Sequence, residues 1–554
     1  MEEEQKQVQS NMDSKKKISF ISALLIVIGG SIGAGIFFKA AAVQENSQGS
    51  MLLAILCWII ASVAVIAMAL ALIEISSVRN DNLSLIGWNK VFNSRFIAKA
   101  SKNFMVYVYL PLTYLFMPLY VLMSLQDALA SLVPSGKNTF GAVVNGTNID
   151  WIIWSVICLA MSIYFLTIPT LWSKVGDWHN KVILGIKFIP IVLVIVLGLA
   201  IAFSGNSNAK DLSWGKITTD KTSFADSIKQ GKGIAEIYGL GAGLGMFLAV
   251  AAIFFAYDGF YVASGIQSEM KEPKKTPIAL FIGLGITTII YLLIAISLSI
   301  NGGDVFGMAE NLEKLFKDKK AANITLGIMN LMIAIGVLGI INGFSMWAPR
   351  YVEDLLAEGE LPFWRKVKGK LNANFPIVGV IYSLAITVPV VIIFTLIGAL
   401  GYVGKESYLV NYGSIGMAKL YNFADLMANW TAVFTFGFIA AAILGGIINR
   451  KKNFVEVKDK KSYFLPMAWI SVITVFVSMA ITILVPVIDL FLLAGADKSV
   501  LVKELVVPRV MLIITLLIFA GLSFLPTVFE DLYAKKKYGS VAAYDQYKKE
   551  QLAQ

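Results

Sequence analysis

Ile28-Gly-Gly-Ser-Ile-Gly-Ala-Gly-Ile-Phe37 places four glycines and a serine inside an apolar run that begins near residue 18. Each glycine in a helix interior costs about 1 kcal/mol relative to alanine. The cost falls near mid-membrane, where no water is available to satisfy a freed backbone group. Two readings are open. Gly29 and Gly33 form a small-xxx-small pair that lets two membrane helices approach, or the helix is interrupted here and its main chain lines a cavity.

The surrounding composition fixes the solvent. Of the 554 residues 57% are hydrophobic and 15% charged, and the mean hydropathy is +0.72, which marks a membrane protein. Apolar segments long enough to cross about 30 Å of hydrocarbon begin near residues 18, 51, 103, 151, 181, 243, 277, 322, 375, 421, 463 and 505, so about twelve transmembrane helices are expected. Lys15-Lys16-Lys17 precedes the first segment and no small-residue cleavage site follows it, the pattern of an uncleaved anchor with a cytoplasmic amino terminus. With an even number of spans the carboxyl terminus lies on the same side. Lys and Arg are then in excess in the cytoplasmic loops, as the positive-inside rule requires. This predicts a multi-pass protein of the cell membrane.

The net charge of +11 reads as orientation signal, because the basic clusters are scattered over several loops and form no single nucleic-acid-binding face. Cys57 and Cys158 lie within apolar spans and His179 is the only histidine. That inventory argues against a disulfide framework, a metal site, zinc chemistry and Ser-His catalysis. The chain is expected not to be an enzyme and to need no cofactor. The run Gly239 to Gly245 has the wrong spacing for a nucleotide fingerprint, and no strand precedes it.

A second span speaks to the open question in the first. Phe254-Phe-Ala-Tyr-Asp-Gly-Phe-Tyr261 lies near the middle of the sixth span and contains Asp258. A carboxylate at mid-membrane costs roughly 2.5 to 3.5 kcal/mol on insertion scales and must face a cavity or a partner. Gly259 beside it supplies the freedom to unwind. The two interrupted helices are five spans apart, so they cross the membrane in opposite directions. Discontinuous helices in matching positions of two inverted halves point to a midplane substrate site in a secondary transporter. Freed N–H groups at a half-helix start attract a carboxylate, and freed carbonyls at a half-helix end attract an ammonium. A free amino acid carries both.

These residues resemble the amino acid-polyamine-organocation (APC) superfamily of permeases, nearest its neutral amino acid exchanger (L-type) branch. Gly30-Ser-Ile-Gly-Ala-Gly-Ile-Phe37 looks like the first-helix signature, and Phe255-Ala-Tyr-Asp-Gly-Phe260 like the sixth-helix break. Ser268-Glu-Met-Lys-Glu-Pro-Lys-Lys-Thr-Pro277 is similar to the passage into the seventh helix. Asn342-Gly343, Arg350 and Glu358-Gly-Glu-Leu-Pro362 resemble the end of the eighth helix and the loop after it.

The resemblance implies an all-α membrane fold with an inverted 5+5 helix repeat, discontinuous helices 1 and 6, and two peripheral helices. The expected division is a cytoplasmic tail 1–17, a first repeat 18–203, an extracellular loop 204–242, a second repeat 243–450, two further helices 451–530 and a cytoplasmic tail 531–554. The resemblance also implies that the substrate carboxylate meets the N–H groups of Ala34 and Gly35, that its amino group meets the carbonyls of Ile32, Phe255 and Asp258, and that Phe260 helps close the pocket. The substrate-binding set is thus Ser31, Ile32, Gly33, Ala34, Gly35, Phe255, Ala256, Tyr257, Asp258, Gly259 and Phe260. Lys187 in Gly185-Ile-Lys-Phe-Ile-Pro190 matches a fifth-helix lysine that stands where sodium-coupled relatives hold sodium. It is the expected ion-coupling residue, with snorkelling toward the surface as the plain alternative.

Glu74 and Glu269 are candidate gating latches, or ordinary solvated helix ends. Tyr107, Thr113 and Tyr114 are candidate pocket-lining residues, or packing and interface residues. The segment Tyr351 to Leu361 reads as an amphipathic helix on the membrane surface. Apart from Asp258 the broken segments read as uncharged, so a sodium-independent permease for neutral L-amino acids is expected, working as a proton symporter or exchanger. The alternatives are a cationic amino acid or polyamine carrier that uses Asp258, and an amino acid receptor that does not transport. The expected partners are a small amino acid, protons and the lipid bilayer, with no nucleic acid; the sequence leaves the oligomeric state open.

Overall fold

Backbone polarity dictates what apolar segments of this length become in lipid: helices, which satisfy their own hydrogen bonds. The computed structural model describes residues 19–33, 35–79, 83–133, 138–208, 215–217, 221–261, 271–305, 307–372, 375–403, 414–497, 499 and 503–553. Among them ten helices are long and apolar enough to cross a membrane. An eleventh crossing is made by two helices, Phe20–Ser31 and Gly35–Asn46, which meet at a bend of 55°. The sixth expected span is present as a shorter apolar helix, Leu240–Ala256.

Local sequence sets several boundaries. The second span, Met51–Val78, starts where the Ser50 hydroxyl accepts the N–H of Leu53. The eighth, Lys319–Ala357, starts where Asp318 accepts the N–H groups of Lys320 and Ala321, which satisfies donors that the first helical turn leaves over. The segments between the fifth and sixth spans and between the seventh and eighth carry the short helices Phe224–Lys229 and Ala309–Phe316. The helix expected over Tyr351 to Leu361 is not a separate surface piece. The eighth span continues through it to Ala357, because Tyr351, Val352 and Leu355 are fully buried and extend the apolar stripe of the membrane helix.

The third span, Arg95–Leu132, is the centre of the bundle: 94% of its apolar window is enclosed by protein, against 11% for Leu505–Tyr538 in the twelfth. The third packs along the eighth, and the eighth along the fifth, Ser173–Phe203. Outward-facing Val156, Ile289, Ile381 and Leu517 are exposed, as expected of side chains that meet lipid tails. One turn of the third span, Met105–Tyr109, is π-helical. Its extra residue leaves the carbonyl of Met105 to accept both the N–H of Leu110 and the Tyr351 hydroxyl at 2.9 Å.

Charge gathers on the face of the bundle where the first helix begins, here called the terminal face. Glu74 at the end of the second span receives both Nε and Nη2 of Arg450, at 2.8 and 2.6 Å, and the N–H of Lys461. Glu358, just past the eighth span, receives Arg79 at 2.9 Å and Lys90 at 2.8 Å. Glu360 receives Lys90 at 3.2 Å, and the last helix, Val541–Ala553, brings Lys548 toward the same cluster. Burial alone pushes the Glu360 carboxyl up, but Lys548, Lys102, Lys90 and Lys99 outweigh it and hold it at about 2, below its ordinary 4.5.

A carboxyl whose folded pKa is depressed stabilises the fold above its unfolded pKa and ceases to as pH falls through the folded one. The melting temperature in detergent is therefore expected to drop as pH goes from 4.5 toward 2, and Glu360→Gln is expected to flatten that slope. Equal slopes in the two proteins would remove Glu360 as the cause.

Candidate functional site

A helix that stops inside a bilayer leaves its last carbonyls and the first N–H groups of its successor without helical partners. After Phe20–Ser31 the carbonyl of Ile28 still receives the N–H of Ile32 at 2.8 Å. Three of the next four carbonyls are met by other elements. Lys187 of the fifth span donates to Gly29 O at 2.6 Å and lies 3.5 Å from Ile32 O. Tyr291 of the seventh span, Thr276–Ser299, donates to Ser31 O at 2.7 Å. Gly30 O faces Gly259, where an added Cβ would stand 3.4 Å away. Lys187 thus reaches the carboxyl end of the first half-helix and does not snorkel to the surface.

The sixth segment breaks by tightening. After Ala256 the bonds Tyr257 N to Phe254 O, Asp258 N to Phe255 O and Phe260 N to Tyr257 O replace the regular ladder, and Gly259 adopts φ +102°, a backbone that L side chains rarely tolerate. The two breaks touch. A Cβ on Gly35 would lie 3.1 Å from the Phe255 ring and 3.2 Å from the Cα of Ala256, so the absence of a side chain at Gly35 permits the approach. The first-turn N–H groups of Gly35–Asn46 therefore open beside the end of Leu240–Ala256.

The structure brings Ser31, Ile32, Gly33 and Gly35 together with Phe255, Ala256, Asp258 and Gly259. Ala34 and Glu269 lie outside the described residues. Two polar atoms at the breaks, Ser31 Oγ and Asp258 Oδ1, are buried and have no hydrogen-bond partner among the described residues. Asp258 Oδ2 accepts the Tyr109 hydroxyl at 2.9 Å. The Tyr257 hydroxyl is engaged by Ser62 at 2.8 Å and Thr288 at 3.0 Å. Phe260 is buried against Phe436 and Tyr261, whereas the Phe255 ring covers Gly35 and packs edge-on against Phe116 and tilted against Tyr120. Glu74 sits on the terminal face, paired as described.

On the third span the candidate residues point elsewhere. Tyr107 lies beside Tyr382, Thr113 bonds the carbonyl of Tyr109, and Tyr114 bonds Ser345 at 2.6 Å. Tyr109 is the residue that faces the break, and it closes the π-helical turn, a distortion common at functional sites.

The broken segments also carry more charge than Asp258. Lys39 lies on Gly35–Asn46, 0% exposed, with its ammonium 2.5 Å from Asp425 Oδ1 and 2.9 Å from the Tyr120 hydroxyl. Tyr120 bonds the same carboxylate at 2.7 Å, and the ammonium stands 4.6 Å over the Phe255 ring. Intramembrane charges of this kind pair with one another. The lysine inside an apolar run and the aspartate in the tenth span, Ile415–Lys452, were the signal that sequence reasoning passed over.

Comparison with known proteins agrees with this architecture. Residues 18–495 match the family described as amino acid permease. The chain is 54% identical to an uncharacterised protein of Mycoplasma pneumoniae over 97% of this chain and 98% of that one. It is 25% identical to the serine/threonine exchanger SteT of Bacillus subtilis, covering 64% of this chain and 71% of the relative. It is 22% identical to the human cystine/glutamate transporter, covering 64% of each. A crystal structure of an Eremococcus coleocola manganese transporter superposes with a TM-score of 0.51 at 14% identity, over 92% of this chain and 94% of that one. That likeness concerns the fold alone.

Proposed function

The chain belongs to the amino acid permease family, and from that premise we propose that it carries neutral L-amino acids across the cell membrane by alternating access. It works without sodium, as a proton symporter or an exchanger, with its terminal face and both chain ends in the cytoplasm. The observation that carries this reading is the pair of orphaned buried atoms, Ser31 Oγ and Asp258 Oδ1, one from each break. Ser31 ends the half-helix that precedes Gly35–Asn46, and Asp258 lies just past the carbonyl end of Leu240–Ala256. A zwitterion supplies the missing partners: its carboxylate for the amides and the Ser31 hydroxyl, its ammonium for the Asp258 carboxylate.

Sodium independence follows from Lys187. Its ammonium already stands at Gly29 O and Ile32 O, where it supplies the positive charge that a metal ion would bring. Neutral selectivity rests on charge balance, because Lys39 is matched by Asp425 and the Asp258 carboxylate is taken up by the substrate's own ammonium. The Bacillus subtilis relative, a serine/threonine exchanger, fits a small neutral substrate. A cationic substrate is the second reading, favoured by the unpaired Asp258 Oδ1.

Purified protein in liposomes decides between them. Labelled serine and leucine are expected to enter saturably without sodium, with arginine and putrescine competing weakly. Asp258→Asn is expected to raise the KM for serine about tenfold, the effect of losing one charge-assisted contact of about 1.4 kcal/mol. Arginine outcompeting serine, with that preference lost in Asp258→Asn, would establish the cationic reading instead. A requirement for sodium would overturn the role given to Lys187, and binding without flux would make the protein a receptor.

A further inference from the structure

The last carbonyls of the two half-helices, Ser31 O and Ala256 O, converge on one atom. The phenol oxygen of Tyr291 lies 2.7 Å from each, and the N–H of Gly33 points to it at 3.4 Å. Both carbonyls sit at negative dipole ends, so bringing them to a common point is unfavourable unless a proton or a cation stands between them. A hydroxyl has one proton and accepts as well as donates. It can therefore donate to one carbonyl at a time while it receives the Gly33 N–H.

Its position is fixed from behind. Tyr291 is 0% exposed, and its ring meets Trp58 edge-on at 5.8 Å and Tyr257 at 5.0 Å. Tyr257 is in turn anchored by Ser62 and Thr288. The seventh span, outside both breaks, thus sets how far apart they lie.

We propose that Tyr291 is a positioning residue for the ligand: a neutral clasp that holds the carbonyl ends of the two half-helices at a set separation without a bound cation. Ser31 Oγ, Asp258 Oδ1 and the amides that begin Gly35–Asn46 then present themselves to a single ligand. The inference rests on the reading that the ligand is an amino acid held between the breaks. Lys187 serves different carbonyls, Gly29 and Ile32, so the clasp and the lysine are separable.

The test compares wild type with Tyr291→Phe and Tyr291→Ser, using labelled serine uptake into liposomes, melting temperature, and titration with sodium and lithium chloride. Tyr291→Phe keeps the ring packing and is expected to raise KM at least tenfold while the maximal rate changes less than threefold. In Tyr291→Ser, which leaves room between the carbonyls, sodium or lithium is expected to recover at least a third of the lost affinity, an effect that a purely structural role would not produce. An unchanged KM in whichever variant accumulates overturns the clasp, as does loss of KM and maximal rate together without cation recovery. If wild type transports no amino acid, the proposed function fails first and takes the clasp with it; wild-type uptake with an unaffected variant sinks the clasp alone.

Discussion

Replacing Gly35 by alanine is expected to weaken amino acid binding about ten- to a hundredfold. The added methyl would press on the Phe255 ring at 3.1 Å and on the Cα of Ala256 at 3.2 Å. The ring can turn, but the main chain of the sixth segment can yield only by widening the gap between the breaks. Overpacking of this kind costs about 1 to 3 kcal/mol, and each 1.4 kcal/mol is a factor of ten in affinity. Gly30→Ala is the matched control, because nothing lies within 4 Å of its added Cβ, and its affinity is expected to stay within about twofold of wild type. Equal binding by the two variants would mean that contact between the breaks does not shape the site.

The second large effect concerns Lys39 and Asp425. Truncating either partner leaves a charge inside the bundle without its counter-charge, and breaking a buried pair in this way costs about 3 to 5 kcal/mol. Lys39→Met and Asp425→Asn are each expected to destabilise the protein by that amount in detergent. The double variant is expected to recover most of the loss, since it leaves no unmatched charge. The Tyr120 hydroxyl remains as a polar partner at the site. Additive losses in the double variant would show that the ammonium and carboxylate do not act as a pair.

The helical architecture could be read from sequence because lipid admits few alternatives. Segment length and hydropathy placed the spans, and glycines around a mid-membrane position marked the breaks. The carboxylate Asp258 distinguished the sixth segment from an ordinary packed helix. What escaped was information held between segments. Tyr291 looks like any aromatic residue in the seventh span until its hydroxyl is seen between Ser31 O and Ala256 O. Tyr109 drew no notice beside Tyr107, Thr113 and Tyr114, because nothing in the sequence shows that its hydroxyl meets Asp258 across the bundle. The eighth span was cut short in the reading because charged residues in Tyr351 to Leu361 suggested a surface, while its apolar side was already claimed by the bundle.

The π-helical turn in the third span has a consequence for descent. A π-helical turn behaves as a regular helix with one residue inserted, and each residue rotates a helix by about 100°. Losing a single codon between Met105 and Tyr109 would restore a straight ladder and swing everything on one side of it around the axis, carrying the phenol of Tyr109 away from Asp258. A homologous gene of this length would then show a one-residue gap there, and the lineages on either side of that gap would differ in how they hold the carboxylate, though nearly every other letter of the segment were shared.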